Sequence, residues 1–314
     1  MSTVQDADRS ATAGVRPAVD RKTLERNGKS RTYLGMAWRR LRRNKLAMIG
    51  LGVMILMILV ALGAGLISEY ITKREPQAQS LRANFMGIGE DGYILGSDDL
   101  GRDTLTRLVY GARVSLGVAG LSVIAALTLG TVIGTVAGFY GKWIDSILMR
   151  FVDIMLSIPT LFLLLLVASL WRLGPWTLSL VIAGVAWVTL SRLVRGEVMA
   201  VKSRDYVDAA RVVGVGNWRI MFRHILPNVA PVIIVWASLV VPGLILLEAT
   251  LSFLGLGVQP PTASWGNMLT YSQKVWSHST AMVLLPGFAI YITVFAINLF
   301  GNGLRDALDP RLTD

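Results

Sequence analysis

Residues 46–67 read Leu46-Ala-Met-Ile-Gly-Leu-Gly-Val-Met-Ile-Leu-Met-Ile-Leu-Val-Ala-Leu-Gly-Ala-Gly-Leu-Ile67, a run without one charged side chain. A helix that crosses the hydrocarbon core of a bilayer needs about 20 such residues, and this run supplies them. Just before it, Tyr33 to Lys45 carries Trp38, Arg39, Arg40, Arg42, Arg43 and Lys45. That pattern predicts a basic, partly amphipathic helix suited to an anionic membrane surface. A cleaved signal peptide has a shorter basic lead-in and a shorter apolar run, so the pair reads as a retained anchor. Residues 1–32 are polar, lack apolar periodicity and read as a disordered tail.

Further along the chain, five more apolar runs occupy roughly 114–139, 151–171, 176–194, 229–251 and 280–300. The expected fold is therefore an all-α integral membrane protein with six transmembrane helices. Composition agrees, since 16% of the 314 residues are charged, where a soluble domain carries about 25%. In the second run Gly130, Gly134 and Gly138 recur every fourth residue. Small residues at that spacing let two helix backbones approach closely, a main source of packing energy in lipid. The fifth run holds Pro231 in its first turn and Pro242-Gly243 in its middle, which predicts a kink facing protein or a cavity.

The net charge of +11 could suggest nucleic acid. The basic residues instead fill the short stretches between apolar runs, as membrane topology requires. With a cytoplasmic N-terminus, 23 of the 31 Lys and Arg residues fall on the inner side and 8 on the outer. Both termini are then expected inside a bacterial plasma membrane. The expected divisions are a basic interfacial helix with the first span at 33–67, an outer loop at 68–113 and a five-helix core at 114–301. The core would carry an inner loop at 195–228, and 302–314 would form a C-terminal tail.

That inner loop is the most informative segment. It reads Ser203-Arg-Asp-Tyr-Val-Asp-Ala-Ala-Arg-Val-Val-Gly214 and runs on to Pro227. Ser203 is expected to cap a helix reaching about Val213, and Gly214 suits the left-handed residue that ends one. Ala209 and Ala210 give that helix a thin side able to enter a groove. A second helix is expected over Asn217 to Leu226, stopped or kinked at Pro227. Two readings fit: an amphipathic loop tying two spans together, or a docking element for a cytoplasmic protein.

Asp208-Ala209-Ala210, then Gly214, then Ile225-Leu226-Pro227 resembles the EAA loop of ABC importer permeases. Asp208 stands where that family usually has Glu, and His224 where it often has Ile. The resemblance extends to Leu95–Leu108, to Tyr110–Leu116, to Glu248–Pro261 with Ser264-Trp-Gly266, and to Gly303–Arg311. All of these are similar to the dipeptide, oligopeptide and nickel permeases, and the long basic N-terminus to their DppC/OppC type. Asn302 stands where those proteins usually have Asp. The resemblance implies a type I importer permease fold. Asp205, Tyr206, Asp208, Ala209, Ala210, Arg211 and Gly214 would form the coupling helix that sits in a separate ATPase subunit.

Other residues invite readings of their own. Asp98, Asp99 and Asp103 beside Arg102 and Arg107 predict a charge-paired turn leading into a helix, either a structural cap or a solute contact. Glu248 is costly near a bilayer core, so it is a candidate for the pathway or gate, or for a pair with an Arg of a partner. Asp145, Asp153 and Glu197 near span ends are expected to make interfacial pairs. With no cysteine and two distant histidines, His224 and His278, neither thiolate chemistry nor a metal site is expected. No Gly-x-x-x-x-Gly-Lys-Ser/Thr stretch occurs, so the chain has no ATPase site of its own.

The expectation is a permease subunit, not an enzyme, importing short peptides by alternating access. It would bind no cofactor itself, with ATP and Mg held by two partner ATPase subunits. A second permease, gene product or copy, and an outer solute-binding protein would complete the complex. Nickel, glutathione or an oligosaccharide could replace the peptide. A secondary transporter driven by an ion gradient, or a scaffold without transport, are the readings from other classes.

Overall fold

A computed structural model describes residues 33–171 and 173–309. The expected tail at 1–32 and the last residues of the C-terminal segment lie outside the described residues. Helix α1, Tyr33–Arg43, leads into α2, Lys45–Leu62, with the Asn44 side chain accepting from the Ala47 N–H at 3.1 Å. Helix α3 is Thr104–Tyr140, α4 is Lys142–Ser157 and α5 is Thr160–Leu170. Pro175–Lys202 forms α6, Asp205–Val212 the short α7 and Leu226–Phe253 α8. Trp265–Val275 is α9, and Ala281–Leu308 is α10. No strand occurs among the described residues.

Among the described residues five helices are long and apolar enough to cross a membrane, and α4 with α5 counts as a sixth if the bent pair is one span. The pair bends by 83°. The expected straight span at 151–171 is thus two helices, and the expected loop at 140–150 is mostly the first turns of α4. Pro159 explains the break: it offers no N–H and pushes the residue before it out of the helical region. Ile158 accordingly sits at φ −95° and ψ 124°.

Other boundaries also move. Helix α3 starts ten residues before the apolar run, so the segment expected to be loop to residue 113 ends at Asp103. Charged Arg107 and Arg113 hid this start from any reading by hydropathy. Asp103 caps it, its Oδ1 accepting from the Thr106 N–H and hydroxyl, each at 2.7 Å. Asp103→Ala should lower the thermal midpoint of the purified protein, since such a cap contributes about 0.5–2 kcal/mol. Asn should restore most of it, and an unchanged midpoint in the Ala variant would contradict this role. At the far end α10 runs to Leu308, so the expected C-terminal tail is helical from 302 to 308.

Ser203 does not cap α7. It ends α6, its hydroxyl donating back to the Ala200 carbonyl at 3.1 Å, and Arg204 takes the N-cap position without a side-chain bond. Of the two outcomes expected at Pro227, a stop or a kink, the stop does not occur. A short helical turn at Asn217–Arg219 and a π turn at Ile220–Ile225 run straight into α8. The wider turn accommodates the proline that lacks its N–H.

The glycine stripe packs as expected. A Cβ on Gly134 would lie 2.5 Å from the Ser191 carbonyl oxygen, and one on Gly138 2.8 Å from that of Arg195. Gly130 faces Trp187 and Leu190 in the same way. Helices α3 and α6 therefore run parallel with touching backbones. Gly50 packs α2 against α10, where a Cβ would meet the Ala296 carbonyl oxygen at 2.5 Å. Helix α1 buries Ala37 and Leu41 and donates from Arg40 to the Asp309 carbonyl at 3.4 Å, leaving Trp38 exposed. One end of the bundle thus carries α1, α7 and the end of α10. The other carries residues 73–103 and the loop after α8.

Candidate functional site

Helix α7 is held by one side chain and finished by one glycine. Val207 is fully buried in a cluster with Val194, Val198, Ile220 and Ile225. The remaining faces of α7 stay open: Asp205, Tyr206, Asp208, Ala209 and Arg211 are exposed, and Ala210 is half-buried. At its end Gly214 adopts φ +79°. Its N–H reaches the Arg211 carbonyl at 2.9 Å, and that of Val215 reaches Ala210 at 3.0 Å. This is a helix stop built on a left-handed glycine. Asp208 and Arg211 pair at 2.9 Å on the exposed face, a contact that contributes little in water.

The expected coupling residues are thus gathered on one short helix and its terminal turn. Sequence reading missed their apolar neighbours. Val212 is 88% and Val213 82% exposed, and the Trp218 and Phe222 rings lie tilted at 44° with centroids 4.3 Å apart, both in the open. Exposed apolar side chains grouped at the polar end of a membrane helix bundle mark a contact surface. The signal was present, since Trp218 and Phe222 stand four apart on a helix.

Beside α7 an open groove of about 710 Å³ is lined by Glu197, Arg204, Asn228, Pro231 and Arg305 among others. Glu197 lines this groove and makes no ion pair among the described residues, contrary to expectation. Asp145 and Asp153 do pair. Arg195 holds Asp145 with Nε at 2.5 Å and Nη2 at 2.6 Å, and Arg192 bonds Asp153.

Glu248 sits near the far end of α8, about 33 Å along the helix from Leu226 at 1.5 Å per residue. It is fully buried and meets no basic side chain among the described residues. Ser115 of α3 donates to its Oε2 at 2.8 Å and Ser252 to its Oε1 at 2.7 Å. Ser115 lies 133 positions away in sequence, which hides it from a sequence reading, whereas Ser252 at four-residue spacing on the same helix was a signal available in the chain.

The segment before α3 is a charge-paired turn, as expected. Arg102 bonds Asp98 at 2.6 Å, Arg107 approaches the same carboxylate at 3.5 Å, and all three are buried. Asp98 Oδ1 also accepts the N–H groups of Leu100 and Arg102, both at 2.9 Å. Arg74 lies over the Tyr93 ring at 3.7 Å and donates to the Gly92 carbonyl at 2.8 Å. The bonds run within the turn and make it a folded cap on α3.

The described residues thus form a helical bundle of membrane-spanning length, with a short exposed helix between two spans and a capped approach to another. Residues 130–314 match the family described as binding-protein-dependent transport system inner membrane component. Residues 32–85 match the N-terminal TM domain of oligopeptide transport permease C. The chain belongs to this family of ABC importer inner-membrane permeases, in its DppC/OppC branch, and is a multi-pass membrane protein. It is 43% identical over 279 residues to the di/tripeptide transport system permease protein DppC of Pseudomonas aeruginosa, covering 88% of this chain and 91% of that one. With the dipeptide transport system permease protein DppC of Alkalihalophilus pseudofirmus, identity is 40% over 279 residues, 88% and 89% of the two chains. With the oligopeptide transport system permease protein OppC of Haemophilus influenzae it is 41% over 224 residues, 70% and 71%.

Proposed function

We propose that this chain is the permease subunit of an ATP-driven importer of short peptides, working by alternating access. The observation that carries the reading is α7: a short, open helix anchored by Val207 between α6 and the lead-in to α8. A soluble ATPase subunit with a cleft for Asp205–Gly214 could push on this helix and move α8 with it. ATP and Mg belong to two such subunits, with a second permease beside this one and an outer solute-binding protein delivering peptide. The α7 end then faces the cytoplasm of a bacterial plasma membrane, where both termini lie. Peptide is favoured over nickel, glutathione or an oligosaccharide because relatives covering most of the chain carry peptide names.

The test is a detergent pull-down of the tagged chain beside an Ala209→Glu/Gly214→Pro variant. Wild type should bring down ATPase subunits and a second permease, and the variant should lose the ATPases. Glu would fill the thin side of α7, and proline cannot adopt the positive φ of residue 214. A correctly inserted wild type that retains no ATPase would sink the reading in favour of a self-powered transporter or a scaffold.

A further inference from the structure

The loop between α8 and α9 is tied at both ends to one carboxyl group. Ser252, which donates to Glu248 Oε1, accepts the Val258 N–H at 3.0 Å. Ser115, which donates to Oε2, accepts the Trp265 N–H at 3.2 Å. The entry and the exit of the loop therefore hang, each through one serine, from the two oxygens of Glu248. Two glycines let the loop close on α8. A Cβ on Gly266 would lie 2.7 Å from the Ala249 Cα and from the Ser252 Cβ, and one on Gly257 2.6 Å from the Ser252 Cα. Helix α9 is fastened at the same place by Ser264 and Asn267, which cap it reciprocally, and by Trp265 Nε1 donating to the Leu108 carbonyl at 3.0 Å. A carboxyl group this deep is costly unless its oxygens are occupied. Here the occupying groups are the ones that hold the loop.

We propose that Glu248 is a positioning residue that acts through Ser115 and Ser252, locking the Val258–Trp265 loop and α9 onto the ends of α3 and α8. These four pieces then move as one body. The lock itself does not depend on the proposed function; its consequence for uptake does.

The chain has no cysteine, so a single introduced thiol can be labelled without background. Val258 is 1% exposed and reports opening of the loop; Gln79, exposed in the segment before α3, serves as reference. In the purified complex in lipid nanodiscs, Val258→Cys should react slowly with a water-soluble maleimide. Adding Glu248→Met should speed labelling about tenfold, the factor that losing the Ser252 tie to the carboxyl group supplies at Val258. Glu248→Gln keeps an acceptor and should stay within about threefold. Ser115→Ala should fall between, Ser252→Ala, which also removes the acceptor of the Val258 N–H, should reach at least the Met rate, and labelling at Gln79→Cys should not change. Peptide uptake should fall in the same order.

Met fills the space of Glu without its oxygens. If Met were as slow as wild type, or Gln as fast as Met, the lock would be overturned. If Glu248→Met does not accumulate, the two serine variants decide, and wild-type rates in both overturn the proposal. A wild-type complex that takes up no peptide would sink the transport reading and leave the labelling result standing.

Discussion

Gly134→Leu should leave almost no folded chain in the membrane, while Gly120→Leu on the same helix should accumulate normally. A Cβ alone at Gly134 would stand 2.5 Å from the Ser191 carbonyl oxygen and 2.8 Å from the Val194 Cβ, whereas one at Gly120 would meet nothing within 4 Å. The first of those atoms is backbone, so no side chain can swing aside. Overpacking costs about 1–3 kcal/mol even where a core can adjust, and here two long parallel helices would have to separate. In lipid that seam has no hydrophobic drive to replace it. Membrane-fraction yield and size-exclusion profile read the outcome. Wild-type yield and uptake from Gly134→Leu would show that the seam is not a main tie of the bundle.

Val207→Asp should produce the opposite kind of failure, a chain that inserts but does not transport. Val207 is the one fully buried residue of α7 and sits within a wholly apolar cluster. An unpaired carboxylate there is expelled, since its burial costs several kcal/mol, far above the ~1.4 kcal/mol that equals a tenfold change. Expelling it frees α7 from α6 and from the lead-in to α8. Uptake should therefore drop at least about tenfold with membrane yield largely kept. Val207→Ala, which only opens a small cavity, should keep part of the activity. Uptake at the wild-type rate in Val207→Asp would mean that α7 does not need its anchor.

Much of this architecture is legible in the chain because its signals are local. The apolar runs, the four-residue glycine stripe and the positive φ at Gly214 each depend on residues a few positions apart. The break between α4 and α5 was equally local, but hydropathy summed over residues 151–171 hides it; Pro159 was the sign to weigh. The true start of α3 is hidden from hydropathy for a related reason: Arg107 is buried against Asp98, and an apolar window cannot credit a charge already paired. At the site, α7 could be located from Asp208, Ala209, Ala210 and Gly214. The Ser115 side of Glu248 could not be, because Ser115 reaches the carboxyl group, and the Trp265 N–H reaches Ser115, only through the packing of separate helices.

The π turn at Ile220–Ile225 has a mechanical consequence. It joins the residues beside α7 to those around Glu248 in a continuous apolar helix, Asn217–Phe253. At 1.5 Å per residue this rod is about 55 Å long. Pivoted at its middle, a tilt of only about 10° swings each tip by roughly 5 Å in opposite directions, on that same length. Under the proposed function, a stroke of about one helical turn delivered at Trp218 would emerge, reversed, at the loop fastened to Glu248.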